Sequence, residues 1–167
     1  MLDLGHNRLA SLPDALGNLT ALTDFLYLHD NKLTDLPSSI QKLRRLRYLN
    51  ISENSFSVFP ESICNLSNLV ELHANDNRFM MLPDSIARVS CLRELHLRNN
   101  QLKTLPPAIG ELSELRLLDL RANPLESLPS AIALLPKLDK LDLRWINCSP
   151  ELEWFQCLKT RGCLVYR

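Results

Sequence analysis

Two tripeptides, Glu71-Leu72-His73 and Glu94-Leu95-His96, recur 23 residues apart and bring two carboxylates and two imidazoles to equivalent places. That is a donor set zinc accepts. Nothing around the four groups rigidifies them, and a histidine at a solvent-facing strand position needs no special explanation, so no metal is expected. A second series, Arg98, Arg121 and Arg144, keeps the same spacing. Stacked in consecutive strands, these forks suit carboxylates or phosphates on a partner. Like charges about 5 Å apart repel by roughly 1–3 kcal/mol at effective dielectrics between about 80 and 20. Asp119 and Asp142, two residues before Arg121 and Arg144, offset that repulsion. The arginines therefore read either as a partner-binding patch or as a self-neutralising ladder of surface ion pairs, each worth little. A third group, Phe25, Tyr27 and Tyr48, places exposed aromatics on one face. Such side chains anchor interfaces or pack on one another across strands.

Constellations for catalysis are absent from the sequence. It has no G-x-S-x-G and no Gly-rich phosphate loop, and only four glycines in all. The five cysteines, Cys64, Cys91, Cys148, Cys157 and Cys163, are scattered, with no histidine nearby in register to activate a nucleophile. No enzymatic activity and no cofactor are expected.

These side chains must be positioned by a repeat. Prolines of an L-P pair fall at Pro37, Pro60, Pro83, Pro106 and Pro129, spaced by 23, with Pro13 preceding the series by 24. Asn7, Asn31, Asn54, Asn77, Asn100 and Asn123 keep the same beat and the same slip, so the extra residue lies in a loop between Pro13 and Asn31. Within the unit Leu92–Leu115, the alternation in Leu95-His96-Leu97 predicts a strand with one face inward. Leu92, Leu95, Leu97, Leu102, Leu105, Ile109 and Leu112 point inward as the chain makes one coil. One coil cannot bury that face alone, whereas stacked coils bury it in each other. Asn100 and its equivalents turn inward after the strand and satisfy backbone groups of the neighbouring coil. Pro106 keeps Leu105 extended, and Ser38, Asp84 and Ser130 after their prolines suit short helical or 3₁₀ turns on the convex side. Phe56, Phe59 and Phe79 fill core positions, while Met80 and Met81 lie in a turn with partial exposure.

The pattern L-x-x-L-x-L-x-x-N-x-L-x-x-L-P-x-x-I-x-x-L resembles the leucine-rich repeat superfamily over residues 1 to about 143. It is similar to the 23-residue class of intracellular Ras-pathway scaffolds, cell-polarity scaffolds, plant intracellular relatives and bacterial cytosolic proteins. The tail LDLRW…RGCLVYR resembles the closing segment of the bacterial members. The resemblance implies an α/β solenoid, a right-handed horseshoe with a parallel β-sheet on the concave face and short helical or 3₁₀ turns on the convex face. It also implies a protein-binding platform without shared catalytic residues.

On this reading residues 1–167 form one domain, with repeats to about 143 and a C-terminal cap over about 144–167. In the cap, Ser149-Pro150-Glu151 starts a helix. Leu152, Phe155 and Leu158 line its buried face, Gly162 ends it in a left-handed turn, Leu164-Val165-Tyr166 adds a last extended segment, and Trp145 and Trp154 help cover the last coil. At the other end Met1-Leu2-Asp3-Leu4 is already a strand with no cap before it. Leu2, Leu4, Leu9 and Leu12 then face solvent on one side, which invites a homodimer or upstream sequence.

The 19 basic and 19 acidic side chains cancel, which argues against a nucleic-acid partner bound by bulk charge. No run approaches the roughly 20 apolar residues of a membrane span, and no secretory signal is visible. An odd number of cysteines without C-x-x-C spacing reads as free thiols, and a cytoplasmic location is expected. The expected function is a non-catalytic scaffold in signal transduction that binds another protein on its concave face, or a targeting domain of a larger signalling enzyme. The residues expected to meet the partner are Phe25, Tyr27, Tyr48, Glu71, His73, Glu94, His96, Arg98, Asp119, Arg121, Asp142 and Arg144.

Overall fold

The structure, a computed structural model, describes residues 1–146 and 154–167. Each repeat contributes three residues to one parallel sheet: β1 (Leu2–Asp3, two residues only), β2 (Phe25–Tyr27), β3 (Tyr48–Asn50), β4 (Glu71–His73), β5 (Glu94–His96), β6 (Leu117–Asp119) and β7 (Lys140–Asp142). An eighth strand, β8 (Leu164–Tyr166), closes it, and the eight lie in sequence order. The middle residue of each strand from β2 to β7, in turn Leu26, Leu49, Leu72, Leu95, Leu118 and Leu141, is fully buried, and its two neighbours face outward. That alternation is the period of two in the sequence made physical. Right-handed crossovers return the chain through the convex side and complete an α/β solenoid with a concave sheet.

The crossovers contain 3₁₀ turns at Asp14–Asn18, Ser38–Lys42, Glu61–Asn65, Asp84–Arg88, Pro107–Glu111 and Ser130–Leu134. The preceding prolines sit at φ between −60° and −76°, which extends the chain before each turn. Ser38, Asp84 and Ser130 stand at the first turn position as expected. Their side chains make no capping bond, since the proline already fixes the entry. Gly17 allows close approach of one turn to the next, because a Cβ there would strike the Ser39 backbone. The one-residue slip resolves to Thr23. Leu22 and Leu46 close equivalent turns onto Leu19 and Leu43, whereas Phe25 already pairs with Tyr48.

The core is a single column of leucine and isoleucine, widened by Phe56, Phe59 and Phe79 in the third and fourth coils. Leu92, Leu95, Leu97, Leu102, Leu105, Ile109 and Leu112 all lie in it. Above the core runs an asparagine ladder. Asn100 donates through Nδ2 to the carbonyls of Ala74, Leu97 and Arg98, and its Oδ1 accepts from the Phe79 N–H of the preceding coil. Asn31, Asn54, Asn77 and Asn123 repeat the arrangement. Each amide thus satisfies one donor and one acceptor that the coil before it leaves open, each worth about 0.5–1.5 kcal/mol net.

One feature of the coil lies outside the leucine, asparagine and proline pattern. The residue immediately before each asparagine slot is left-handed: His6, Asp30, Glu53, Asp76, Asn99, Ala122 and Trp145 have φ between 50° and 62°. Aspartate and asparagine tolerate that region better than alanine or tryptophan. Trp145 therefore corrects an expectation. Its reversed backbone lifts the ring onto the rim, 71% exposed, so it does not cover the last coil.

Helix α1 (Trp154–Thr160) buries Phe155 and Leu158. Gly162, at φ 87°, ends it, with the Gly162 and Cys163 N–H groups donating to the Lys159 and Leu158 carbonyls. Ser149, Pro150, Glu151 and Leu152 lie outside the described residues. At the opposite end Leu2, Leu4, Leu9 and Leu12 are half-buried, packed on the core on one side and facing solvent on the other. The chain's own second coil covers their inner side.

Candidate functional site

The sheet register brings the outward side chains into two files. One reads Phe25, Tyr48, Glu71, Glu94, Leu117 and Lys140; the other reads Tyr27, Asn50, His73, His96, Asp119 and Asp142. Strands about 4.8 Å apart put neighbours in a file within contact. Phe25 lies 5.5 Å from Tyr48 and 6.1 Å from Tyr27, measured between ring centroids, and Tyr27 lies 5.1 Å from Tyr48. Tyr48 then meets His73 at 5.0 Å, and His73 stacks on His96 at 4.1 Å with ring planes 15° apart. Toward the N-terminus Tyr27 meets His29 at 6.0 Å, and His29 meets His6 at 4.6 Å. Gly5 permits this, because a Cβ there would come within 2.5 Å of the His29 ring.

Seven rings thus form one continuous stripe across five coils. The sequence separates the aromatics from the histidines. Only the register, which places Asn50 beside Tyr27 and so opens room for Tyr48 to lean on His73, joins them. The signal lay in adjacent outward positions of successive repeats, since His29, Tyr48 and His73 are all planar rings on neighbouring coils.

The imidazole–carboxylate pairs are local. His96 Nε2 stands 3.1 Å from Glu94 Oε2, and His73 Nε2 stands 3.8 Å from Glu71 Oε2. Burial holds the His73 imidazole down at about 4, and His96 alongside pushes the same way. His73 is therefore neutral at pH 7. Burial raises the Glu71 carboxyl, and Glu94 beside it raises it further. Burial also raises the Tyr48 phenol, with Tyr27 and Glu71 adding to it. The stacked rings direct their nitrogens to separate glutamates rather than to one point. Among the described residues no three His, Cys, Asp or Glu side chains converge as a metal-binding group.

The C-terminal half of the face is ionic. Asp119 is 4% exposed and Asp142 1%. Arg121 grips Asp119 with both arms, Nε to Oδ1 at 2.9 Å and Nη2 to Oδ2 at 2.6 Å, and its Nε also lies 3.6 Å from Asp142. Arg144 grips Asp142 in the same way at 2.9 and 2.8 Å. Burial opposes ionisation of Asp142, but the Arg144 fork, the Arg144 N–H and Arg121 together hold it below the usual carboxylate range. The Asp119 bond raises Arg121, and the Asp142 bond raises Arg144. Arg98 leaves the series, turning to Asp76 Oδ2 at 3.0 Å on the rim. Two of the three arginines therefore stand as a ladder with their own aspartates, and the third stands apart.

The Leucine-rich repeat region model matches residues 1–98, and the Leucine rich repeat model matches residues 90–147. Among curated proteins, none matches the chain. Several solved structures do. A leucine-rich repeat protein of Leptospira interrogans is 29% identical over 99% of this chain and 54% of its own, with a TM-score of 0.56. The leucine-rich repeat ectodomain of the plant membrane receptor kinase GASSHO1/SCHENGEN3 from Arabidopsis thaliana, in complex with CASPARIAN STRIP INTEGRITY FACTOR 2, is 34% identical over 83% of this chain and 17% of its own, at a TM-score of 0.73. The PEPR1 chain of the PEPR1–AtPEP1 crystal structure is 30% identical over 98% and 24%, at 0.80. The chain thus spans about half the length of the first of these and a quarter or less of the other two. With a family model covering 98 of its 167 residues and the parallel solenoid that the repeat demands, the chain belongs to the leucine-rich repeat family.

Proposed function

We propose that this chain is a non-catalytic protein-interaction module that holds a polypeptide partner across its concave face. One observation carries the reading: the continuous ring stripe from Phe25 through Tyr27, Tyr48 and His73 to His96, on a sheet face that no other part of the described chain covers. Phe25 is 41% exposed. Large, stiff rings lose little conformational entropy on binding and supply most of the energy at interfaces. Glu71 and Glu94 flank the stripe as acceptors for a cationic or N–H-rich partner. Arg98, Arg121 and Arg144, with Asp119 and Asp142, form a polar terminus that sets register. Support comes also from the Arabidopsis ectodomain and PEPR1, whose structures hold CASPARIAN STRIP INTEGRITY FACTOR 2 and AtPEP1.

The same surface serves equally in a targeting domain of a larger signalling enzyme, a reading favoured by the small share of its structural relatives that the chain spans. We place the module in the cytoplasm on the free thiols of Cys64, Cys91, Cys157 and Cys163. A homodimer through the edge of β1 remains part of the proposal; light scattering at high concentration tests it, and a monomer removes it. The main test places a photo-crosslinking amino acid at Tyr27 or His73 and, as a control, at Ser85 on the convex side. Capture of one partner from the concave positions alone supports the module. Equal capture from all three, or capture unchanged by Phe25→Ala with Tyr48→Ala, overturns it.

A further inference from the structure

In a chain of zero net charge the cations are unevenly satisfied. Arg98, Lys103, Arg116, Arg121, Lys137 and Arg144 each lie within 4.0 Å of a carboxylate. The run Lys42-Leu43-Arg44-Arg45-Leu46-Arg47 buries its two leucines and exposes all four cations, and among the described residues none of the four pairs with an acid. Arg88 and Arg93, two coils further on, are exposed and unpaired in the same sense.

These six side chains converge on two neighbouring cavities at the flank of the solenoid, where the chain leaves the convex side and enters the strands. Arg45, Arg47 and Arg93 line one of about 580 Å³ together with Asn68, Val70 and Cys91. Lys42, Arg44 and Arg88 line the other, of about 650 Å³, with Asn65 and Ser67 and no carboxylate. Arg47 and Arg93 are held two strand spacings apart, about 10 Å, because the Val70 and Arg93 N–H groups donate to the Arg47 and Val70 carbonyls in turn. The first cavity does contain two acids. Lys137 holds Glu114 at 2.6 Å, with Arg93 near enough to favour the same ionised carboxylate, and Asp24 accepts from the Thr23 hydroxyl.

We propose that this flank is a second binding site, separate from the concave face, for a phosphorylated acidic segment of a partner protein. A carboxylate satisfies one guanidinium fork, whereas a phosphate dianion offers three acceptor oxygens and takes donors from several. The unpaired cations form two groups, four in the Lys42–Arg47 run and two at Arg88 and Arg93, with a neutral coil between them, which matches a chain carrying charge at intervals. Nucleic acid fits less well: no aromatic side chain lines either cavity for base stacking. A membrane fits less well because Val70 is the only large apolar lining residue of the first cavity. The site also moves the anion-binding role away from Arg121 and Arg144, whose forks their own aspartates already hold.

The test uses the whole chain and a fluorescein-labelled peptide of alternating glutamate and phosphoserine, read by anisotropy against the same peptide with serine. The phosphorylated probe should bind at least about tenfold more tightly than the serine probe. The triple variant Arg45→Ala, Arg47→Ala, Arg93→Ala should lose that preference, and Arg78→Ala, which removes an exposed cation elsewhere, should keep it. Because all four arginines are exposed, melting temperatures should stay close to wild type, so a loss of binding reports the site. Equal affinity for the two peptides overturns the proposal, as does a triple variant that binds like wild type. Tighter capture of single-stranded DNA, or of vesicles bearing a phosphoinositide, also overturns it and reassigns the flank.

Discussion

Strands β2 to β5 and strands β6 to β7 share one backbone, one core and one asparagine ladder, and they differ in what they turn outward. The first group presents rings that touch one another and carboxylates that crowd one another, as Glu71 beside Glu94 shows. The second presents two aspartates buried beneath the arginines that neutralise them. Interactions in the second region are internally complete; those in the first leave ring faces and half-exposed carboxylates directed at solvent. Stability and recognition are therefore divided along the sheet. A self-neutralised ladder suits a terminus that must stay folded, and an incompletely satisfied stripe suits a surface that awaits a partner.

Core substitutions should show the largest effect and no difference between regions. Leu49→Ala under the stripe and Leu118→Ala under the ladder, both fully buried, should each cost ~2–5 kcal/mol in urea unfolding. A gap between them comparable to the effect itself would break the claim of a shared core. Next comes Asp142→Ala, which strips Arg144 of its fork partner and Arg121 of a second carboxylate. It should cost about 2 kcal/mol, because the carboxylate is buried but both guanidiniums it leaves behind are partly exposed and stay hydrated. Tyr48→Ala should cost only about 1 kcal/mol, the scale of an aromatic pair, yet abolish partner capture. If Tyr48→Ala destabilised more than Asp142→Ala, the division would be the wrong way round.

Acid should act on the stripe through His73. Its imidazole titrates near 6.5 in the unfolded chain and at about 4 in the fold. Between those values the unfolded chain binds more protons, so stability is complete above pH 6.5 and declines as pH falls toward 4. Discounted for partial exposure, the loss is ~2 kcal/mol. His73→Phe should flatten that part of the pH profile, and an unchanged slope would show that the stacked pair is not the titrating element. The smallest effect belongs to the rim. Ala122→Gly relieves a left-handed alanine and should gain about 1 kcal/mol, whereas Asn99→Gly on the same rim should be nearly neutral, which differential thermal melts can resolve.

The coil was readable because leucine at alternate positions and proline at a fixed offset have few other physical uses. Leu95, Asn100 and Pro106 each do what their spacing implied. The facing arginines were only half readable. Their column was correct, but whether Arg98 would join Arg121 or bend to Asp76 depends on rim geometry that residue types do not encode. Trp145 was misjudged as a cover for the last coil because a bulky apolar residue usually covers a core, although its place 23 residues after Ala122 sets it on the rim. The union of Tyr48 with His73 was missed because ring contact across strands is a property of register, and register emerges only when coils are stacked. The flank cations escaped because Leu43 and Leu46 explain the local pattern as coil, which left Arg44, Arg45 and Arg47 looking like an ordinary solvated edge.

The asparagine ladder has a mechanical consequence. Each amide ties its own coil to the one before it and to no other, so neighbouring coils are fastened by the same small set of bonds, and each rupture frees one coil of 23 residues. At about 3.5 Å per extended residue, the chain under tension should lengthen in even steps of ~80 Å. Ile146 occupies the slot where the next asparagine would stand, so the seventh coil lacks this fastening to the sixth. Pulled from its ends, the solenoid should behave as a sawtooth of near-identical teeth, with the peak at that joint shaped by the cap instead.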